Sequence, residues 1–140
     1  EIKLKKRDYI ELGNLDALRD WGHAKDFIEM QWKMLQQDKP GDYVVATGRT
    51  HSVRDMITLG FSHVGMNLTW SGDGVDTIAT DQNGNIRVRT NPKFFRPAEV
   101  DLLLGDPKAV TKELKWEKKV DFAKLVSRMV QHDIKEINAS

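Results

Sequence analysis

Phe94-Phe95-Arg96-Pro97-Ala98-Glu99-Val100-Asp101-Leu102-Leu103-Leu104-Gly105-Asp106 is the stretch on which the reading of this chain turns. Proline disfavours the helical region for the residue before it, so Arg96 is held in an extended conformation three residues ahead of the Glu99 carboxylate. An apolar run and the helix start Asp106-Pro107 follow. A guanidinium in this setting suits a phosphate oxyanion, because its planar donor fork matches two oxygens at once. A second arginine, Arg19, stands far away in sequence in Leu18-Arg19-Asp20-Trp21-Gly22-His23-Ala24-Lys25-Asp26. Taken singly, each reads as a surface arginine paired with its neighbouring acid, Asp20 or Glu99. Two of them ahead of helical segments are what a diphosphate clamp requires.

The chain has 140 residues, one domain's worth, with 22 basic against 21 acidic side chains. Near-balanced charge gives no reason to expect a nucleic-acid or polyanion partner, so any anion site is local. There is no cysteine, hence no disulfide framework, thiolate nucleophile or zinc-thiolate site. The longest apolar runs, about four or five residues, fall far short of the roughly 20 that a membrane span needs. A soluble, cytoplasmic protein is the expectation. The opening Glu1-Ile2-Lys3-Leu4-Lys5-Lys6-Arg7 reads as the end of a charged helix, so the chain is expected to be a piece of a longer protein.

The pattern along the chain is mixed α/β. Residues 9–12 alternate like a short strand that Gly13-Asn14 ends. A helix follows His23, with Ala24, Phe27, Ile28, Gln31, Met34 and Leu35 at helical spacing. Met30 and Trp32 lie off that stripe, which predicts apolar partners on two sides. Asp42-Tyr43-Val44-Val45-Ala46-Thr47-Gly48 reads as a strand of the kind buried in a parallel sheet. Ser52 with Asp55 forms a capping box for a helix whose apolar face is Val53, Met56, Ile57, Phe61 and Val64, ended by Gly65. Residues 68–70 are a strand. Residues 75–80 and 86–90 flank Gln82-Asn83-Gly84 as a hairpin. Asp106-Pro107 opens a helix through Leu114, and Asp121 caps a last one with the stripe Phe122, Leu125, Val126, Met129, Val130 and Ile134.

Signatures of catalysis are missing. No glycine-rich phosphate loop or Gly-x-Ser-x-Gly elbow occurs. The four histidines, His23, His51, His63 and His132, lack paired ligand spacing, so no metal is expected. His23 is expected to be a hydrogen-bonded structural residue. Neither Tyr9 nor Tyr43 has a lysine four positions on.

The segments Leu12-Gly13-Asn14 through Asp26, Met34-Leu35-Gln36-Gln37, Val45-Ala46-Thr47-Gly48, His51-Ser52-Val53-Arg54 and Phe95-Arg96-Pro97-Ala98-Glu99-Val100-Asp101 resemble GDP-mannose 4,6-dehydratases. So does the ending from Gly105-Asp106-Pro107-Lys108 through Trp116 to Met129-Val130. The blocks beginning at Arg19 and Phe95 are specific to this family within the extended short-chain dehydrogenases.

The resemblance implies the C-terminal, substrate-binding part of an NADP-dependent Rossmann enzyme that converts GDP-mannose to GDP-4-keto-6-deoxymannose on the way to GDP-fucose. It implies a full-length enzyme that is a homodimer or homotetramer; the balanced charge and short apolar runs add the expectation of no nucleic acid or membrane partner. Residues 1–140 are then the nucleotide-sugar-binding portion, with 20–48 lending a helix and a strand to the missing Rossmann half. The family's catalytic and NADP-binding residues match nothing here. Arg19 and Arg96 match the arginines at the diphosphate, Glu99 a carboxylate at the ribose, and Leu12, Gly13 and Asn14 the strand end near the nucleotide. The hairpin region 73–85 departs from the family pattern. The rival reading is a stand-alone nucleotide-binding, anion-binding or structural module without catalysis.

Overall fold

A computed structural model describes residues 1–96, 100 and 102–139. It contains a four-stranded sheet in the order β1-β6-β5-β4 and a two-stranded ribbon of β2 and β3. β1 (Ile10–Leu12) runs parallel to β6 (Ile86–Thr90), with Ile10 opposite Val88 and Leu12 opposite Thr90. β4 (Thr69–Ser71), β5 (Ile78–Thr80) and β6 are antiparallel neighbours. The hairpin between β5 and β6 closes at Gly84, whose φ of +79° suits glycine. Inside it, one Asp81 carboxylate oxygen accepts the amides of Asn83 and Asn85 and the other accepts Arg87 Nε. Residues 74–76 form a 3-10 turn rather than the predicted strand, with the Asp76 amide donating to the Asp73 carbonyl.

β2 (Leu18–Arg19) pairs with β3 (His51–Ser52). α2 (Val53–His63) follows directly, held by the expected capping box: the Asp55 amide donates to Ser52 Oγ and the Ser52 amide to the Asp55 carboxylate. Gly65, at φ +74°, ends α2, with the Gly65 amide on Ser62 and the Met66 amide on Phe61. α4 (Phe122–Ala139) starts where the Asp121 carboxylate accepts the Lys124 amide, and it packs on α2 across Gly60. Its first residue, Phe122, lies between the rings of Trp21 and His51, at 5.7 and 3.8 Å between centroids.

α1 (Ala24–Met34) and α3 (Lys108–Glu113) form a separate apolar cluster, in which Met30, Val110, Leu114 and Trp116 are buried against Phe27, Met34 and Tyr43. This corrects two readings. The spacing sets Met30 with Trp32 off the main stripe of α1, yet Met30 is wholly buried and Trp32 is exposed; the inward stripe is Asp26, Phe27, Met30 and Met34, while Ile28, Trp32 and Leu35 face out. Both faces are apolar, and the buried one is chosen by Asp26. Its carboxylate accepts the amides of Lys119 and Val120, and its carbonyl accepts Trp116 Nε1. Residues 42–48, predicted as a strand, carry no strand pairing among the described residues, and Gly48 has φ +75°; Val44 and Val45 are exposed and Ala46 is buried. α3 begins one residue later than predicted, with Asp106 still accepting the Lys108 amide.

Candidate functional site

The site begins at the end of β1. The parallel β1–β6 pairing carries past the strands, because the Asn91 amide donates to the Leu12 carbonyl at 2.8 Å. The chain then turns at once: Asn91 Oδ1 accepts the Lys93 amide, and Pro92–Phe94 form a 3-10 turn. Gly13 lies directly against that turn. A Cβ built on Gly13 would stand 2.3 Å from the Phe94 carbonyl oxygen, so only glycine lets the two main chains approach. Arg96, two residues further on, is exposed. Asn14 Oδ1 accepts the Asp16 amide at 2.9 Å, a local turn that bends the chain from β1 into the buried Leu15 and Ala17. The α2 N-terminus locks this turn, with the Arg54 guanidinium donating twice to Asp16 Oδ1 and the Arg54 amide donating to the Leu15 carbonyl.

Arg19 approaches from the ribbon. Its Nη1 donates to the Leu18 carbonyl at 2.8 Å and to the Val100 carbonyl at 2.6 Å. Leu102 and Leu103 also lie beside β2: Leu18 bridges Leu102 in parallel, and the Leu103 amide donates to the Leu18 carbonyl at 3.3 Å. Arg96 and Val100 are four residues apart, so their α-carbons lie within about 14 Å of each other. Of the six sequence-predicted residues, Leu12 and Gly13 sit against the turn ahead of Arg96 and Asn14 follows them in a turn of its own, while Arg19 donates to the Val100 carbonyl. Glu99 lies outside the described residues.

Asp20, the acid next to Arg19, has partners that the sequence did not reveal. Both Asp20 carboxylate oxygens accept the Thr47 amide, at 3.0 and 3.1 Å; one also takes the Thr47 hydroxyl at 2.5 Å and the other the Gly48 amide at 2.9 Å. Asp20 thereby fixes residues 45–48 against a cleft of about 370 Å3 lined by Arg19, Trp21, Phe27, Val45, Leu103 and Gly105. His23 departs from its expected hydrogen-bonded role: Nδ1 is buried without a hydrogen-bond partner and stands 3.7 Å from Asp26 Oδ1. The main-chain acceptor Val100 had no sequence signal, since any residue carries a carbonyl.

Two charged pairs brace the sheet beneath. Burial by itself would raise the Asp81 pKa, but the Asn85 and Asn83 amides and the Arg87 guanidinium outweigh it and hold the carboxyl at about 2. The Arg89 guanidinium lowers the Glu11 carboxyl below its usual range and lies 4.2 Å over the Tyr9 ring.

NADP, which the family resemblance implies, needs a glycine loop opening onto a helix N-terminus. Among the described residues no strand leads through such a loop. Gly22, just ahead of α1, is packed against Phe27 and Thr47, where a Cβ would fall 2.2 and 2.8 Å from their side chains. The described residues do not fit a dinucleotide. No described cluster of His, Asp and Glu is arranged for a metal ion, and no described helix is long and apolar enough to cross a membrane.

This architecture is shared with nicotinamide-linked sugar-nucleotide enzymes. It superposes on a UDP-glucose 4-epimerase from Bifidobacterium longum in complex with NAD+ and UDP with a TM-score of 0.71 at 17% identity, covering 99% of this chain and 38% of the other. A dTDP-glucose 4,6-dehydratase from Bacillus anthracis in complex with NAD gives 0.71 at 15% identity, covering 96% and 37%. At that identity the likeness defines the fold alone. Sequence narrows it further. The family model for GDP-mannose 4,6 dehydratase matches residues 1–129. The chain is 52% identical over 135 residues to the GDP-mannose 4,6 dehydratase of Drosophila melanogaster and 42% identical over 135 residues to that of Homo sapiens. It therefore belongs to the GDP-mannose 4,6-dehydratase family. It covers 96% of its own length in both matches but only 34% and 36% of those relatives, about a third.

Proposed function

We propose that this chain is the C-terminal, nucleotide-sugar-binding part of a GDP-mannose 4,6-dehydratase, which converts GDP-mannose to GDP-4-keto-6-deoxymannose in GDP-fucose biosynthesis. The observation that carries the reading is the meeting of the Leu12–Gly13 strand end with the Phe94 turn ahead of Arg96 in a chain of this family, with Arg19 donating to the Val100 carbonyl. In this reading Arg19 and Arg96 serve the diphosphate, Glu99 the ribose, and Leu12, Gly13 and Asn14 the edge of the nucleotide. Each arginine–phosphate hydrogen bond contributes about 1.5–3 kcal/mol net. Binding energy at the diphosphate, remote from the hexose, fixes the sugar for reaction elsewhere in the protein.

Proton and hydride chemistry belongs to the N-terminal half, which holds NADP; the whole protein is a cytoplasmic homodimer or homotetramer. Residues 20–48 reach into that half. The exposed Ile28, Trp32 and Leu35 on α1 and the exposed Val44 and Val45 support this, because an uncovered apolar helix face and an unpaired apolar segment suit the edge of a larger sheet. Incubation of the full-length protein with GDP-mannose and NADP, followed by NMR of the product, tests the reading. A 4-keto-6-deoxy sugar nucleotide is expected, and intact GDP-mannose alongside a folded, NADP-loaded protein contradicts it.

A further inference from the structure

We infer that a second cavity, separate from the one beside Arg19, is a phosphate site built by Arg49, Lys118 and His51. It measures about 270 Å3 and is also lined by Trp21, Asp121 and Phe122. That lies just under the roughly 300–1,000 Å3 of pockets that take drug-sized ligands, so its occupant is small. Arg49 and Lys118 come from distant parts of the sequence. Among the described residues neither cation has a carboxylate within ion-pair distance or a side-chain hydrogen bond. Two uncompensated cations lining one cavity repel each other, and an anion between them turns that repulsion into attraction.

Each donor stands on main chain that is already pinned. Arg49 directly follows Thr47 and Gly48, whose amides the Asp20 carboxylate accepts. Lys118 directly precedes Lys119 and Val120, whose amides the buried Asp26 carboxylate accepts. His51 is held by the pairing of β2 with β3 and by its stack on Phe122, at 3.8 Å with 6° between the planes. Trp21 backs Phe122 on its other side. Stacking occupies a ring face and leaves the edge of His51 available, and imidazole keeps at least one N–H to donate. The guanidinium fork takes two phosphate oxygens, while ammonium and imidazole each take one. Three separate donor groups suit the tetrahedral oxygens of a phosphate better than the two coplanar oxygens of a carboxylate. Donors placed before the anion arrives lose little freedom when it binds. Asp121 opposes the anion. Its Oδ1 accepts the Lys124 amide at the start of α4, which turns part of its charge toward the helix end. Two cations against one carboxylate leave the lining positive.

Calorimetric titration of inorganic phosphate and of glucose 6-phosphate into the full-length protein tests this. Ionic strength is held constant, and NADP and GDP are saturating so that the sites for those ligands are filled. Saturable binding of about one phosphate per chain is expected. Arg49→Ala and Lys118→Ala are each expected to weaken it at least about tenfold through loss of a charge-assisted bond, with GDP affinity within about threefold of wild type. Asp121→Asn keeps a capping oxygen for the Lys124 amide and is expected to tighten phosphate binding, a gain that damage to the fold would not produce. An ester that binds at least as tightly as inorganic phosphate assigns the cavity to a phosphorylated metabolite; an ester that fails to bind where inorganic phosphate does assigns it to the free anion. The absence of saturable phosphate binding overturns the site. So does an unchanged phosphate affinity in both alanine variants, or a GDP affinity that falls in step with them, which would merge these residues into the diphosphate site. A wild-type protein that binds no GDP removes the nucleotide-sugar reading alone, while the same variants still decide whether this cavity holds phosphate.

Discussion

The α-carbon of Gly13 lies so close to the carbonyl of Phe94 that a methyl group on it would stand 2.3 Å from that oxygen. The obstructing atom is main chain, in a turn already closed by Asn91, so it cannot swing aside as a side chain would. Gly13→Ala is expected to destabilise the protein by about 1–3 kcal/mol, the usual cost of overpacking. It should also weaken GDP binding by displacing the turn that leads to Arg96. Urea unfolding and titration of the same sample check both effects; an alanine variant with wild-type stability and affinity would show that the approach of the two chains is dispensable.

Asp26 is buried and accepts two main-chain amides from the segment between α3 and α4. Asp26→Ala leaves the Lys119 and Val120 amides without their acceptor, at about 1–3 kcal/mol for the buried Val120 donor and less for the part-buried Lys119 donor. A total loss of about 2–5 kcal/mol is expected by chemical denaturation. Asp26→Asn keeps one acceptor oxygen and should lose less.

Asp81 makes stability depend on pH. Its folded pKa of about 2 lies below the roughly 3.9 of an unfolded aspartate. The unfolded state therefore takes up the proton first as pH falls, and the stabilisation from Asp81 is fully present above about pH 4 and lost between about 4 and 2. Thermal melting across pH 2–7 should show this slope in the wild type. Asp81→Asn should melt lower at neutral pH and show a shallower slope in the acid window; an unchanged slope would mean that other carboxylates set it.

The helix ends were legible in sequence because caps are local chemistry: Ser52 with Asp55, Gly65 and Asp121 each act where their residue types place them. The hairpin was legible for the same reason, since Asn83-Gly84 sets its own turn. The inward face of α1 was not. Ile28, Trp32 and Leu35 are as apolar as Phe27, Met30 and Met34, and the choice between faces is made by Asp26 reaching residues more than 90 positions away. Residues 43–46 have a strand's composition, but pairing needs a partner edge, which composition does not supply. At the site, the arginines stood out through their neighbours in sequence. The main-chain acceptors Leu18 and Val100 carry no side-chain signal, so the contact that defines the position of Arg19 was invisible.

Residues 1–140 taken alone should leave GDP-mannose unchanged even with NADP added, because the described residues offer neither a dinucleotide cradle nor the Tyr-x-x-x-Lys pair. Product analysis after prolonged incubation checks this. A 4-keto sugar nucleotide from this chain alone would place the chemistry within it.

The central claim, that Arg96 stands at a nucleoside diphosphate, is tested most directly by calorimetric titration of GDP into the full-length protein and its Arg96→Ala variant. Removing one or two charge-assisted hydrogen bonds corresponds to about one to two orders of magnitude in Kd. The account predicts a loss of that size, with the thermal stability of the ligand-free protein little changed. An Arg96→Ala variant that binds GDP as tightly as the wild type would contradict it and leave Arg96 as a surface residue.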